Sequence, residues 1–311
     1  MGPKTTAVIV TYLSKGTVGS TLAAAEEAHK AGRLHVIVVD NASADGTAVF
    51  VRDAFPWVEM IESPSNLGFA RACNLGFERI RTPYVLFLNP DATLDLDALD
   101  AMETTLDENP EVGILAPAIQ FEDGSVQEAG LLTTPRTVIR GGLGRPERPT
   151  ARRIEPGAAP FSTPCVCGAI MLVRSELFES LHGFDGRYFL YFEETDLCLR
   201  AQEFGSDVWA TGAAVGTHAG AASGKAAGAD LMGGCIVEHF YPSRFYFLRK
   251  HFGLARAVTA ELVDLSAMAA RNLRNWIVGR PLGQRFLLRL RGGVLRLPAP
   301  FSDETKTSSF D

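Results

Sequence analysis

Three carboxylates within four residues, Glu193, Glu194 and Asp196, follow the aromatic run YFLYF, and another, Asp91, closes the apolar run YVLFLNPD. Carboxylates crowded behind aromatic side chains repel one another and lose hydration, which raises their pKa values toward those of a base that takes a hydroxyl proton near neutrality. A lone carboxylate at the end of a buried strand suits a different task, since hard oxygen ligands hold Mg2+ or Mn2+ against phosphates. Asp40, ending LHVIVVD, can accept a hydrogen bond from the imide N–H of a nucleobase. Each feature also has a plainer reading. Acids in a first helical turn complement the helix dipole by about 0.3–1 kcal/mol each. Arg200, four residues beyond Asp196, makes an ordinary helix pair, and Asp40-Asn41 and Asn89-Pro90-Asp91 are also turn or capping sequences.

The elements that must position these groups alternate. Apolar β-branched runs at 6–12, 34–40, 57–62 and 84–89 read as strands, and the stretches at about 17–31, 45–54 and 68–80 read as helices. Strand alternating with helix implies right-handed crossovers and a parallel sheet, so Thr11-Tyr12, Asp40-Asn41 and Asn89-Pro90-Asp91 line one edge as a crevice. A helix at about 95–107 and the strand VGILAPAIQF complete a nucleotide-binding half, about 1–120. Residues 129–160, rich in Gly, Pro and Arg without periodicity, read as a long loop with the role of a lid. A strand at 165–173, a short helix at 175–182 and a helix at 193–204 stopped by Gly205 belong to a second half, about 121–235. Residues 219–234 are Gly- and Ala-rich and are expected to be mobile. Helical patterns at 236–252, 254–275 and 283–296 make up a C-terminal region, 236–311, with a disordered tail.

Composition narrows the function classes. The 311 residues carry a net charge of −6, but residues 240–297 hold eleven Lys/Arg against Glu261 and Asp264, a basic module of +9 on an acidic body of −15. No nucleic-acid partner is expected. The five cysteines have no paired metal-ligand spacing and fit a reducing cytoplasm. Neither an apolar run of about 18 residues nor a signal-peptide order is present, so the reading is a cytoplasmic chain. There is no G-x-G-x-x-G after the first strand and no G-x-x-x-x-G-K-[ST], which removes NAD enzymes and P-loop ATPases. The stretch VTYLSKGT does not supply the glycine-rich activating loop of a sugar-1-phosphate nucleotidyltransferase.

The set VIVTY, VVDNAS-x-D-G-T (38–47), SNLGFARACNLGF (65–77), FLNPDA (87–92) and GFDGRYFLYFEETDLCLR (183–200) resembles the family-2 inverting glycosyltransferases, in particular their bacterial rhamnosyltransferase branch. The resemblance spans roughly residues 5–250 and keeps the family's order and spacing. It implies an α/β fold of GT-A type, with a mainly parallel central sheet and a C-terminal helical extension. By position, Thr11, Tyr12, Asp40 and Arg71 resemble nucleoside contacts, and Asn41, Asn66, Gly68 and Asn89 join them in the expected nucleotide-sugar site. Asp91 resembles the metal-binding last residue of the family's Asp-x-Asp element, with Asn89 in place of the first, as is frequent in that branch. His218, after AAVGTH, stands where relatives carry a histidine that reaches metal or diphosphate, although Ala219 replaces the usual follow-up residue. Glu194 occupies the place of the catalytic carboxylate, usually Asp, with Glu193 and Asp196 as alternates.

The resemblance thus implies inverting, metal-dependent transfer from a nucleotide-diphospho-sugar, dTDP-rhamnose being the expected donor, to a cell-envelope glycan or polyprenyl-diphosphate-linked saccharide. The competing reading is a non-catalytic GT-A domain binding nucleotide or glycan as a scaffold, suggested by Asn89 and Glu194. The basic tail QRFLLRLRGGVLRL (284–297) alternates Arg with Leu as an interfacial helix does, which favours peripheral contact with the inner face of the plasma membrane. A homodimer interface or a solvated face are the alternatives.

Overall fold

The computed structural model describes residues 2–121, 123–219, 236–281 and 283. Strands β1 (Thr5–Thr11), β2 (Leu34–Asp40), β3 (Glu59–Glu62) and β4 (Tyr84–Leu88) form the parallel half of a sheet, linked through helices α1 (Val18–Lys30), α2 (Thr47–Ala54) and α3 (Phe69–Phe77). Both faces of this half are covered, which is why its strands are continuous apolar runs. Alternate residues serve opposite faces: Val8, Val10 and Phe87 enter one apolar cluster, Ala7, Ile9 and Leu88 the other. The register sets Thr11 beside Asp40 at the carboxyl ends.

After the two-residue β5 (Ala92–Thr93) comes α4 (Leu96–Glu108), capped by the Asp95 side chain accepting from the Ala98 N–H, and then β6 (Val112–Gln120). The segment expected as a long loop contains structure. Thr134 and Thr137 form a reciprocal capping box with Pro135 at the first helical position, which starts α5 (Pro135–Gly142). Short strands β7 (Glu128–Ala129) and β8 (Arg152–Arg153) pair with each other, and β9 (Phe161–Ser162) joins the main sheet.

Strand β10 is shorter than expected. It begins only at Ile170 (Ile170–Arg174), leaving Cys165–Ala169 irregular, and lies antiparallel between β4 and β6. Helices α6 (Ser175–Ser180) and α7 (Glu193–Glu203) follow. The stretch read as AAVGTH is the end of a twelve-residue strand, β11 (Asp207–His218), parallel to β6 and pairing Thr217 and His218 with Thr93 and Ala92 of β5. The main sheet runs β3-β2-β1-β4-β10-β6-β11-β5.

A π turn (Ile236–Phe240) leads into α8 (Tyr241–Phe252), and Gly253, at φ +86°, turns the chain into α9 (Leu254–Ile277). Phe245, Phe247 and Leu248 of α8 enter the apolar cluster that holds Tyr188 and Leu197. Arg244 bridges α8 to α9 as a buried fork on Glu261 and Asp264 at 2.8 Å each. Breaking such a buried pair from one side costs about 3–5 kcal/mol. The readings of 220–234 and of the basic tail 284–297 lie outside the described residues.

Candidate active site

The carboxyl ends of β1 and β2 form one side of the candidate site. Asp40 is buried; its Oδ1 accepts from the Thr11 hydroxyl at 2.9 Å and its Oδ2 from the Ser43 N–H at 3.0 Å. Thr11, expected to touch the nucleoside, is itself fully buried and orients Asp40. Tyr12, next in the chain, is exposed. Asn41 is a fastener: its Nδ2 donates to Asn66 Oδ1 at 2.8 Å, and its Oδ1 accepts from the Leu67 N–H at 2.8 Å. Asn66 Oδ1 also accepts from the Gly68 N–H. The expected contacts Asn41, Asn66 and Gly68 therefore shape the loop between β3 and α3. Leu13 and Ala42, just past the two strand ends, both have left-handed φ, a strained conformation that clusters at ligand sites.

The α3 end of this side touches the second half of the chain. Gly68 has φ +77°, and a Cβ there would lie 2.4 Å from the Phe189 carbonyl, so only glycine fits. The Phe69 N–H donates to that carbonyl at 2.7 Å, and Arg71 Nε donates to the Gly186 carbonyl at 3.0 Å. The aromatic run YFLYF is thereby clamped to the first half of the chain.

The other side is the turn after β4. Asn89 accepts from the Ala92 N–H, a tight turn that lifts Asp91. Asp91 Oδ1 lies 3.2 Å from His218 Nε2, and the Ala219 N–H donates to the Asp91 carbonyl, so the ends of β5 and β11 converge there. Adjacent ligands of an octahedral ion at about 2.0–2.1 Å stand roughly 3 Å apart, close to this spacing. His218 Nδ1 is buried without a hydrogen-bond partner among the described residues. No group of three His, Cys, Asp or Glu able to hold a metal occurs among the described residues. Two protein ligands, one carboxylate and one imidazole, fit an ion whose other positions belong to phosphate and water.

The carboxylate cluster reaches this side through Cys167–Ala169. The Asn89 N–H donates to the Ala169 carbonyl at 2.9 Å, and Gly168 lies against Glu194, whose Cβ is 3.2 Å from where a Cβ on Gly168 would be. Burial pushes the Cys167 thiol up to about 11, and the charges of Glu194, Glu193 and Asp91 add to the effect.

The three acids of α7 differ in setting. Glu194 is half-buried; burial raises its pKa, partly offset by the backbone N–H groups of Glu194 and Thr195 at the helix start. Glu193 is buried, with Oε2 unpartnered among the described residues, and burial followed by the Glu194 charge pushes it well above the carboxylate range. Asp196, expected as an alternate base, has a different setting from the two glutamates. It is fully buried and meets Arg200 at 2.7 Å, Lys250 at 2.6 Å and His251 at 2.8 Å. Burial favours its neutral form, but the His251 hydrogen bond and the charges of Arg200 and Lys250 outweigh it and hold the pKa low. Asp196 anchors α7 to α8.

Sequence reasoning missed two supports of this cluster. Lys250 and His251 on α8 meet Asp196 from more than fifty residues away, and no local pattern announces that pairing. Tyr191 and Phe192, immediately before Glu193, both have φ above +70°, at a cost of about 1–3 kcal/mol each. The Phe240 ring packs on both, and Phe247 on Phe192.

Comparison with known proteins identifies the family and the fold. The sequence model "Glycosyl transferase family 2" matches residues 6–181, more than half of the chain. An N-acetylglucosaminyl-diphospho-decaprenol L-rhamnosyltransferase of Mycobacterium tuberculosis is 28% identical over 71% of this chain and 77% of its own length. The O-antigen biosynthesis protein RfbC of Myxococcus xanthus is 33% identical over 41% of this chain but only 10% of its own length. Among solved structures, a mannosyltransferase of Pyrobaculum calidifontis in complex with GDP-Man and Mn2+ aligns at TM-score 0.51 and 19% identity, covering 95% of this chain and 85% of its own. GalNAc-T7 with UDP, GalNAc and Mn2+ aligns at TM-score 0.53 and 12% identity, covering 90% and 59%. These likenesses show the GT-A fold. The chain belongs to glycosyl transferase family 2.

Proposed function

We propose that the chain moves L-rhamnose from dTDP-rhamnose, with inversion, onto a polyprenyl-diphosphate-linked saccharide at the cytoplasmic face of the plasma membrane. The observation that carries this reading is the convergence of Glu194 with the Asp91–His218 pair through Cys167–Ala169. The acceptor class is taken from the mycobacterial relative.

Glu194, its pKa raised, takes the proton from the acceptor hydroxyl as that oxygen attacks the anomeric carbon; the bond to the diphosphate breaks and the diphosphate leaves. Glu193 is buried beside it, and Asp196 holds the helix that carries both. Asp40 and Tyr12 bind the nucleoside end, with Thr11 fixing the Asp40 carboxylate. Asp91 and His218 would hold Mg2+ or Mn2+, whose chemistry when bound is to neutralise the charge developing on the departing diphosphate.

The test is a panel of nucleotide sugars assayed for release of nucleoside diphosphate with Mg2+ and with Mn2+, for the wild type and for Glu194→Gln. The reading expects dTDP-rhamnose to be favoured, dependence on the ion, and loss of turnover in the variant with donor binding retained. Release from no donor, or undiminished release by Glu194→Gln, overturns it.

A further inference from the structure

The solvent-facing side of α9 has an unusual composition for a face meant for water. A solvated helix face ordinarily carries acids and bases together. Here both acids of the helix, Glu261 and Asp264, lie on the buried side, held by Arg244. What remains outside carries no acid: apart from Thr259 and Ser266, its exposed polar side chains are basic and the rest are apolar. Leu262, Leu273, Trp276 (69% exposed) and Ile277 (68% exposed) are open to solvent, and Val278 continues them. Six of the twelve large apolar side chains exposed among the described residues belong to α9 or to Val278, so the exposure is concentrated and not scattered. Arg256, Arg271, Arg274 and Arg280 are exposed too, and none forms an ion pair with a carboxylate among the described residues.

Helix α5 widens the face. Gly142 at its end lies against Asp264, and Arg271 donates to the Gly142 carbonyl. The next residue, Leu143, is exposed, and Arg145 follows. The chain from 134 to 155 carries six arginines; Arg136 and Arg140 pair with Glu147, Arg148 with Glu128 and Arg153 with Glu155, which leaves Arg145 and Arg152 without a carboxylate partner among the described residues.

We infer that the joint α5–α9 face docks on an anionic phospholipid bilayer. The inference takes the membrane location in the proposed function and names the surface that would produce it. Three occupants compete, and charge separates them. A second copy across a two-fold axis would bring this basic face against itself. The segment 284–297 carries Arg285, Arg289, Arg291 and Arg296 and no acid, so it too has the same sign. Lipid headgroups of negative charge match the arginines, and the acyl boundary takes Leu273, Trp276 and Ile277, as for helices that lie in the interface. No helix among the described residues is long and apolar enough to cross a membrane, so the contact is with the surface.

The test is co-sedimentation of the full chain with vesicles of phosphatidylcholine alone and of phosphatidylcholine with phosphatidylglycerol, alongside sizing in solution. The variants are Trp276→Ser/Ile277→Ser and Arg274→Glu/Arg280→Glu, whose side chains are exposed and are not among the candidate site residues. Binding is expected only to the anionic vesicles, weakened at least about fivefold per arginine lost and weakened also by the apolar pair, with nucleoside diphosphate release from donor alone unchanged. Three results overturn the inference: binding to neither vesicle; binding that both variants leave intact; or a wild-type dimer that Trp276→Ser/Ile277→Ser converts to monomer. A chain that binds anionic vesicles but releases nucleoside diphosphate from no donor would sink the proposed function and leave this inference standing.

Discussion

Replacing Asp196 by Asn removes one charge from a carboxylate that is fully buried among Arg200, Lys250 and His251. Lys250 keeps Asp185 at 2.8 Å and is partly exposed, so the uncompensated charge falls mainly on Arg200. Breaking a buried pair from one side costs about 3–5 kcal/mol, and the low end, about 3, applies here. At about 1.5 °C per kcal/mol for a chain of 311 residues, the melting temperature should fall by roughly 4–5 °C. The folded pKa of Asp196 is held low, so its contribution is present above the unfolded value of about 3.9 and is lost as pH falls through the folded value. The gap between wild type and variant should therefore be full at pH 7 and close below about pH 4. Glu194→Gln should do the reverse. A folded pKa raised above the unfolded value means the wild-type carboxyl adds stability at low pH and forfeits it as pH rises through the folded value. Gln in its place should leave the melting temperature unchanged or higher at pH 7–8, while removal of a general base lowers turnover by about 10²–10⁴-fold. Calorimetry at several pH values and single-turnover transfer measure both. Asp196→Asn with a wild-type melting curve and abolished turnover would refute this division of labour.

Three further outcomes are expected. Gly168→Ala puts a methyl 3.2 Å from Glu194 Cβ, so α7 must yield by a few tenths of an ångström; kcat should fall several-fold with donor affinity unchanged, given that about 1 Å of misplacement can cost 10²-fold. His218→Ala should weaken Mn2+-dependent donor binding about 10–100-fold in calorimetric titration, with little change in its metal-free part. Turnover should rise with pH through an apparent pKa above that of an ordinary glutamate, and because Glu193 and Glu194 interact, that value belongs to the pair; a pH-independent rate from 5 to 8 would count against Glu194 as base.

The first half of the chain was legible because its signals are local. Four apolar runs became four parallel strands with nearly the expected bounds, and the three strand ends do line one edge. The Thr134-Pro135 start of α5 was also local, yet the glycines and arginines around it masked an eight-residue helix. Other features were not local. The antiparallel entry of β10 between β4 and β6 depends on contacts more than fifty residues apart, so nothing in residues 165–173 distinguishes an irregular site segment from the strand that follows. The charge balance of the C-terminal region likewise hid its arrangement: the two acids that temper its +9 are those buried by Arg244, leaving the outer face of α9 more basic than the sequence average suggests. Asp196 was expected as an alternate base; of its partners Arg200 was visible four residues on, whereas Lys250 and His251 arrive from α8.

The central claim is that one crevice holds the donor diphosphate beside Asp91 and His218, with Glu194 facing the sugar. Its most direct test is a crystal structure of the chain with Mn2+ and a non-hydrolysable nucleotide-diphospho-sugar, using the anomalous signal of manganese to locate the ion. The account predicts a peak ligated by Asp91 and His218, with the anomeric carbon between that ion and the Glu194 carboxylate. A manganese peak away from both ligands, or a sugar whose anomeric carbon turns away from Glu194, would contradict it.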